Sequence, residues 1–362
     1  MANVTNSHIA AVLHRAKIIK IEQVQTPELE AHQVQIAPRA TGLCGTDLHY
    51  YQNGRNGIYT VEDPLLLGHE AAGEIIKVGS AVTNLQVGDR VAVEPQLPCS
   101  SCQQCRSGRY NLCPKMRFNG SASAKPPAQG SLQKVWTHPA SLCYKLPSSV
   151  SFEEGAVVEP LSVALHSIRK GRLHAGQSVL ITGAGAVGLL CARIAKISGA
   201  SSVVMVDIDE ARLQFALDQK LADRVFLAPT EGDPNTLVET TVEGIRNLLR
   251  PGANLALECT GIESCLEYCI KSAAPAARVV IVGMGRPVQQ VNLGVAMVRE
   301  IEIIGVWRYT NTFPAAIDLI EAGMVDVKPM ITHRYDMQDV ADALEYALSR
   351  PPDLVKCVIT SN

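Results

Sequence analysis

The sequence predicts an α/β protein in two parts, a β-rich segment of irregular barrel type followed by a doubly wound parallel sheet of Rossmann type. Three observations predict it. Residues 8–160 carry short apolar runs broken by Gly42, Gly45, Gly68, Gly73, Gly79 and Gly88, the texture of short strands and turns. From about Leu161, buried strands and helices alternate, as in a parallel sheet wound on both faces. Between the first strand and helix of that second part stands Gly183-Ala184-Gly185-Ala186-Val187-Gly188.

Taken in order, 33–38, 74–78 and 90–94 read as strands, with Gly88-Asp89 as a turn into the third. Residues 121–130 (SASAKPPAQG) form a polar, proline-containing loop. In the second part, 179–182 and 203–206 are strands and 186–198 and 211–219 helices. Residues 254–257, 278–282 and 301–306 are further apolar runs of strand length. The tail is helical over 313–322 and 337–348, and 356–359 is a closing strand. A C-terminal segment that returns to complete the first part would leave a cleft between the two.

Composition narrows the function classes. The 362 residues suffice for two domains, and 47% hydrophobic with 19% charged residues is enough for packed cores. Aromatics are only 4%, so Ala, Val, Ile and Leu must fill the interior. A net charge of -2 without a long basic run argues against nucleic acid as a partner. No apolar stretch reaches the roughly 18 residues that span a bilayer, and MANVTNSHIAAVLHR lacks the features of a signal peptide. The expected setting is a reducing cytoplasm, where clustered cysteines mean metal rather than disulfides.

The glycine run is G-x-G-x-x-G, a weak signal alone. Here it follows a strand and opens a helix, as dinucleotide binding requires. Gly183 allows the tight turn, Gly185 lets the backbone approach a pyrophosphate, and Gly188 lets helix and strand pack. The next strand ends in Asp207, placed to accept hydrogen bonds from the adenosine ribose and to repel a 2′-phosphate. That favours NAD over NADP, with Arg212 nearby to blur the choice.

Of the eleven cysteines, Cys99, Cys102, Cys105 and Cys113 form C-x2-C-x2-C-x7-C. Four thiolates so spaced can surround one zinc ion and leave it no open position, the mark of a structural site. A second set lies upstream: Cys44 in GLCGTD, a turn after a strand, and His69-Glu70 in GHEAAG. A catalytic zinc needs about three protein ligands and one open position. Cys44 and His69 supply two, and Glu70 or Glu159 the third. Asp47 is a candidate acceptor for the His69 imidazole. Each residue alone is more often a core cysteine or an ordinary polar pair; the group is far more specific.

These residues resemble the zinc-containing medium-chain dehydrogenases. Gly68-His69-Glu70-x2-Gly73-x5-Gly79-x2-Val82 matches that family's zinc signature, and the cysteine lobe matches its structural zinc site. The resemblance runs from about His8 to Ile359. It implies a GroES-like catalytic domain over 1–160, completed by 307–362, and a Rossmann NAD-binding domain over 161–306. Within the family the chain is similar to the polyol branch, carried by 42–50 (GLCGTDLHY), 158–163 (VEPLSV) and Arg308-Tyr309-x-Asn311-Thr312.

The resemblance implies hydride transfer from a secondary hydroxyl of sorbitol or xylitol to NAD, giving a ketose, with two zinc ions per subunit. Thr46 and His49 would relay the proton, and Glu159 would act beside the metal. Tyr50, Phe118, Glu159, Arg308 and Tyr309 would meet the substrate, and Gly283 would join the cofactor site. A homotetramer is implied as well, and residues 301–306 are apolar enough to be an edge strand needing cover. Thr46 replaces the commoner serine but keeps the hydroxyl, and Trp307 replaces a common phenylalanine. L-Arabinitol is the rival substrate; relatives acting on it often have phenylalanine where this chain has Tyr50. A non-catalytic zinc- and NAD(H)-binding sensor predicts damage to the reactive group, whereas Cys44, His69, Glu70 and Glu159 are all present.

Overall fold

The computed structural model describes residues 7–361. The chain divides into two units, one running to Glu159 and resuming at Phe313, the other spanning Pro160–Thr312. Residues 307–312, expected with the first unit, therefore lie with the second.

The first unit is built on a seven-stranded sheet. Its spatial order is Cys143–Lys145, Arg90–Val93, Glu70–Val78, Gln33–Gly42, Lys356–Thr360 and Ile331–Asp336, with Trp136–Pro139 also pairing Gln33–Gly42. Val34, Ile36, Ile75, Val91, Val93 and Trp136 pack one core beneath it. Full burial of each such side chain contributes roughly 1.5–3 kcal/mol. Pro38 is tolerated in the central strand because the register against Glu70–Val78 shifts between Pro38 and Ala40, freeing the ladder position that proline cannot fill. Past the shift, Gly42 stands opposite Glu70 on one side and Val358 on the other. This register brings the C-terminal strand beside the segment that carries Cys44.

The second unit has a six-stranded, wholly parallel sheet. Its spatial order is Arg224–Leu227, Ser202–Asp207, Ser178–Thr182, Ala253–Glu258, Ala273–Ile281 and Glu302–Gly305. In chain order this is 3-2-1-4-5-6, the arrangement whose switch point receives a dinucleotide. Leu180, Val204, Ala256 and Val279 are fully buried within it.

Two local expectations change. Cys44, read as lying in a turn, is the N-cap of a helix over Gly45–Asn53. Residues 158–160 lie inside a 20-residue helix, Phe152–Gly171, with Pro160 in its interior. Proline forfeits a backbone hydrogen bond there, but Val157, Val158, Leu161, Ala164 and Ile168 are buried and hold the helix. Among the described residues no helix is long and apolar enough to cross a membrane.

Candidate active site and metal centres

Cys44, His69 and Glu70 come together, their ligand atoms all within 4.8 Å of one another. Ligands about 2.0–2.3 Å from a tetrahedral zinc stand roughly 3.3–3.8 Å apart, so a sulfur, an imidazole nitrogen and a carboxylate oxygen fit such an ion here. Asp47 organises them. It is fully buried; one carboxylate oxygen accepts from the Cys44 amide at 2.9 Å and the other from the Gly68 amide at 3.0 Å. One side chain thus clamps the two segments that carry the ligands.

Electrostatics follow from that burial. Burial pushes the Asp47 carboxyl up, but the charge of His69 and its hydrogen bonds outweigh this and hold it below the ordinary range. Burial likewise works to lower the His69 imidazole, yet Asp47, and after it the Cys44 sulfur, raise it well above its usual value. The pocket therefore concentrates negative potential, which suits a divalent cation. The Phe118 ring packs on His69, centroids 5.3 Å apart and tilted by 58°.

Glu159 is buried on the long helix but outside the compact group of three. Glu70 contacts the ammonium of Lys356, a residue the sequence reading placed only in the closing strand. Its one sequence signal was a lysine heading an otherwise apolar run.

The remaining expected residues fall in different settings. Thr46 sits in the first turn after Cys44, with the Asn56 side-chain amide 3.5 Å from its hydroxyl. His49 is exposed on the same helix. Tyr50, expected at the substrate, is fully buried in the core. Its hydroxyl bonds the Ser121 hydroxyl at 3.0 Å and accepts from the Ala122 amide at 3.1 Å. The structure thus gives Tyr50 the task of holding the 121–130 loop. In the second unit, Arg308 lays its guanidinium over the Trp307 ring at 4.8 Å, and Tyr309 is buried.

The four-cysteine lobe closes an antiparallel pair, Gln96–Leu97 with Arg117–Phe118. All four sulfurs lie within 4.8 Å of one another, with Cys102 and Cys105 Sγ atoms 3.5 Å apart. The Cys99 amide points at Cys113 Sγ from 3.4 Å. Hydrogen bonds from the Ser101 and Cys102 amides pull the Cys99 thiol down to about 6, while burial and the neighbouring thiols push Cys105 up to about 12, so without a cation the cluster favours a thiolate at Cys99 and a thiol at Cys105. Four thiolates fit one structural zinc.

In the second unit, Gly183 adopts φ +94°, and a Cβ at Gly188 would lie 1.9 Å from the Gly183 carbonyl oxygen. The turn therefore requires glycine at both positions. Beside Gly185 there is open space. The helix it caps, Ala186–Ile197, has no side-chain cap, leaving the amides of its first turn, Val187 among them, for an anion. Asp207 is fixed by the amides of Ala184 (2.6 Å), Ile208 (2.8 Å) and Asp209 (3.0 Å). Arg212 leans on Asp209, 3.6 Å away. Gly283, expected at the cofactor, is accounted for by packing, since its Cβ would lie 2.1 Å from the Gly261 amide nitrogen. Glu258, which the sequence did not single out, holds that neighbouring turn through the Thr260 and Gly261 amides.

Residues 30–148 match the family model of the alcohol dehydrogenase GroES-like domain, and residues 186–322 that of zinc-binding dehydrogenases. The chain is 39% identical to a sorbitol dehydrogenase of Gallus gallus, covering 94% of this chain and 93% of that one. It is 38% identical to an L-idonate 5-dehydrogenase of Vitis vinifera, covering 93% and 91%. An Escherichia coli oxidoreductase/dehydrogenase of unknown specificity superposes with a TM-score of 0.90 at 32% identity, over 98% of this chain and 99% of that one. The chain belongs to the zinc-containing medium-chain dehydrogenases. Within them it combines a GroES-like domain with a Rossmann-type domain.

Proposed function

We propose that the chain oxidises a secondary hydroxyl of an open-chain polyol, sorbitol or xylitol, to the ketose, with NAD as hydride acceptor. The observation that carries this reading is the Cys44–His69–Glu70 group clamped by Asp47. Zinc, when bound, supplies Lewis acidity that makes a hydroxyl acidic at neutral pH, and NAD supplies the hydride acceptor. Cys44 and His69 hold the metal, with Glu70 or Glu159 completing its ligands. Thr46 takes the hydroxyl proton and hands it towards His49, whose exposure gives it access to solvent. Phe118 keeps the His69 ring oriented. Arg308 and Tyr309 supply partners for the other hydroxyls of the substrate, each of which needs one when buried. Gly183, Gly185, Val187 and Gly188 cradle the pyrophosphate, and Asp207 holds the adenosine ribose.

Steady-state kinetics with sorbitol, xylitol, L-arabinitol and an unbranched primary alcohol, each with NAD and NADP, test the reading. Sorbitol or xylitol with NAD is expected to give the highest kcat/KM. A preference for L-arabinitol would move the substrate within the class, and a preference for the primary alcohol would overturn it.

The assembly we propose is a homotetramer assembled from edge-paired dimers. Glu302–Gly305 is the edge strand of the second unit's sheet, and nearby Leu293, Met297 and Val298 are exposed. An open apolar edge is covered when two copies pair across a two-fold axis. Sedimentation that found only monomer would refute this. A cytoplasmic setting is supported by the cysteines, all eleven of which are free of disulfides.

A further inference from the structure

Glu258 is only 1% exposed, and a buried glutamate needs partners. It ends the strand Ala253–Glu258, which pairs in parallel with Ser178–Thr182 and sets Glu258 opposite Thr182. These are the first and fourth strands of the 3-2-1-4-5-6 order. Glu258 therefore stands at the switch point, where such sheets take their ligands. Its carboxylate serves one turn. Oε1 accepts from the Thr260 amide at 2.7 Å, both oxygens accept from the Gly261 amide at 3.0 Å, and the Thr260 hydroxyl donates to Oε1. That hydroxyl in turn accepts from the Ile262 amide at 2.9 Å.

The turn is wedged between two glycine segments. A Cβ at Gly183 would lie 2.8 Å from Thr260 Cγ2, so the threonine methyl rests on the start of the G-x-G-x-x-G turn. On the other side, a Cβ at Gly285 would lie 1.6 Å from the Gly261 carbonyl oxygen, which also accepts from the Gln289 side-chain amide at 3.2 Å. The backbone of Glu258 adds to this, its carbonyl accepting from the Val282 and Gly283 amides at 2.8 Å. Gly183 and the 282–285 segment thus both seat on a turn whose shape one carboxylate fixes. A neutral isostere cannot fix it in the same way. Glutamine has one acceptor oxygen and would aim its own amide donors at backbone donors. A buried N–H left without an acceptor is costly, so the turn would rearrange and its glycine neighbours would follow.

We infer that Glu258 is a positioning residue for the dinucleotide: by latching the Thr260–Gly261 turn, it holds the Gly183 turn and the 282–285 segment in the arrangement that admits NAD. This rests on the NAD-dependent reading above and adds to it a residue that acts through the turn.

The test uses full-length, zinc-loaded protein and follows NADH binding by nicotinamide fluorescence for wild type, E258Q, T260V and E258Q/T260V. E258Q is expected to raise the Kd for NADH about tenfold, with zinc content at the wild-type value by elemental analysis. KM for NAD rises in step, so the loss falls on KM rather than on kcat. T260V keeps a methyl against Gly183 but removes the hydroxyl, and is expected to raise the Kd about threefold. The double variant binds no more weakly than E258Q, because both substitutions open the same latch. T260V carries the expectation by itself if E258Q does not fold. A merely structural glutamate would lower the melting temperature and leave the NADH affinity of the folded protein where it was. A wild-type Kd in E258Q, or in T260V where only that variant folds, overturns the inference. A double variant whose loss is the product of the two single losses overturns it equally. The underlying reading is decided separately: a wild type that does not bind NADH would refute it, whereas tight wild-type binding with an unmoved Kd in the variants would refute the role of Glu258 alone.

Discussion

Asp47 Oδ1 lies 3.6 Å from His69 Nδ1, inside charge-pairing range but beyond a hydrogen bond. Its oxygens instead accept from the amides of Cys44 and Gly68. The residue expected to fix the histidine's tautomer directly therefore acts chiefly through the backbone that positions both ligands. Asp47→Asn keeps the shape but offers one acceptor where two amides need one each. Loss of such an outer partner costs about 10- to 100-fold in metal affinity or activity. D47N is expected to fall in that range in kcat/KM, with zinc lost on dialysis measured by elemental analysis. A D47N protein retaining full zinc and activity would refute the clamp.

The cysteine lobe makes a separable prediction. It closes the Gln96–Leu97 and Arg117–Phe118 pair, and Phe118 carries the ring that packs on His69. Cys105→Ser is expected to reduce zinc from two ions per subunit to one and to lower the melting temperature. Because the lobe holds Phe118 and not the cofactor, kcat should fall while KM for NAD stays near that of wild type. A C105S protein with two zincs would show that the lobe is not the second site.

Asp207 is proposed to set cofactor choice. Its carboxylate is held rigidly by three amides, so a 2′-phosphate cannot push it aside cheaply. Asp207→Ser removes the charge and keeps an acceptor for one amide. The ratio of kcat/KM for NADP to that for NAD is expected to rise by at least about tenfold, or roughly 1.4 kcal/mol. An unchanged ratio would mean that another group discriminates.

The sequence showed most plainly what depends on local spacing. The cysteine lobe, the His69-Glu70 motif and the turn at Gly183–Gly188 each occupy one short stretch, so their geometry follows from a few dihedrals and a strand register. The helix over Phe152–Gly171 was hidden because Pro160 reads locally as a breaker, and only tertiary burial of the flanking apolar residues overrides it. Lys356 was hidden for another reason. It meets Glu70 only because the C-terminal strand pairs beside Gly42, a partnership between residues nearly three hundred positions apart that spacing cannot announce. Tyr50 shows a further limit: the resemblance put it at the substrate, but the packing of its ring in the core, with its hydroxyl on Ser121 and Ala122, depends on tertiary contacts that spacing does not carry.

Acid stability should depend on His138. It is buried, and its Nε2 donates to the Glu94 carbonyl at 2.9 Å. Burial pulls the imidazole from 6.5 down to about 4, against the smaller opposing effect of that hydrogen bond. A histidine depressed in the folded state stays neutral there while the unfolded chain takes up a proton. The unfolded state thus binds more protons between these two values, so stability is fully present above about 6.5 and is lost as pH falls towards 4. At 1.36 kcal/mol per unit, the loss is at most roughly 3 kcal/mol. His138→Gln keeps a donor for the Glu94 carbonyl and cannot titrate. Chemical unfolding of wild type and H138Q from pH 7 to pH 4 isolates the effect, because acid release of zinc is common to both proteins. The wild type is expected to lose stability more steeply over this window than H138Q. Parallel curves would show that His138 is protonated without cost, through an opening of the fold around it.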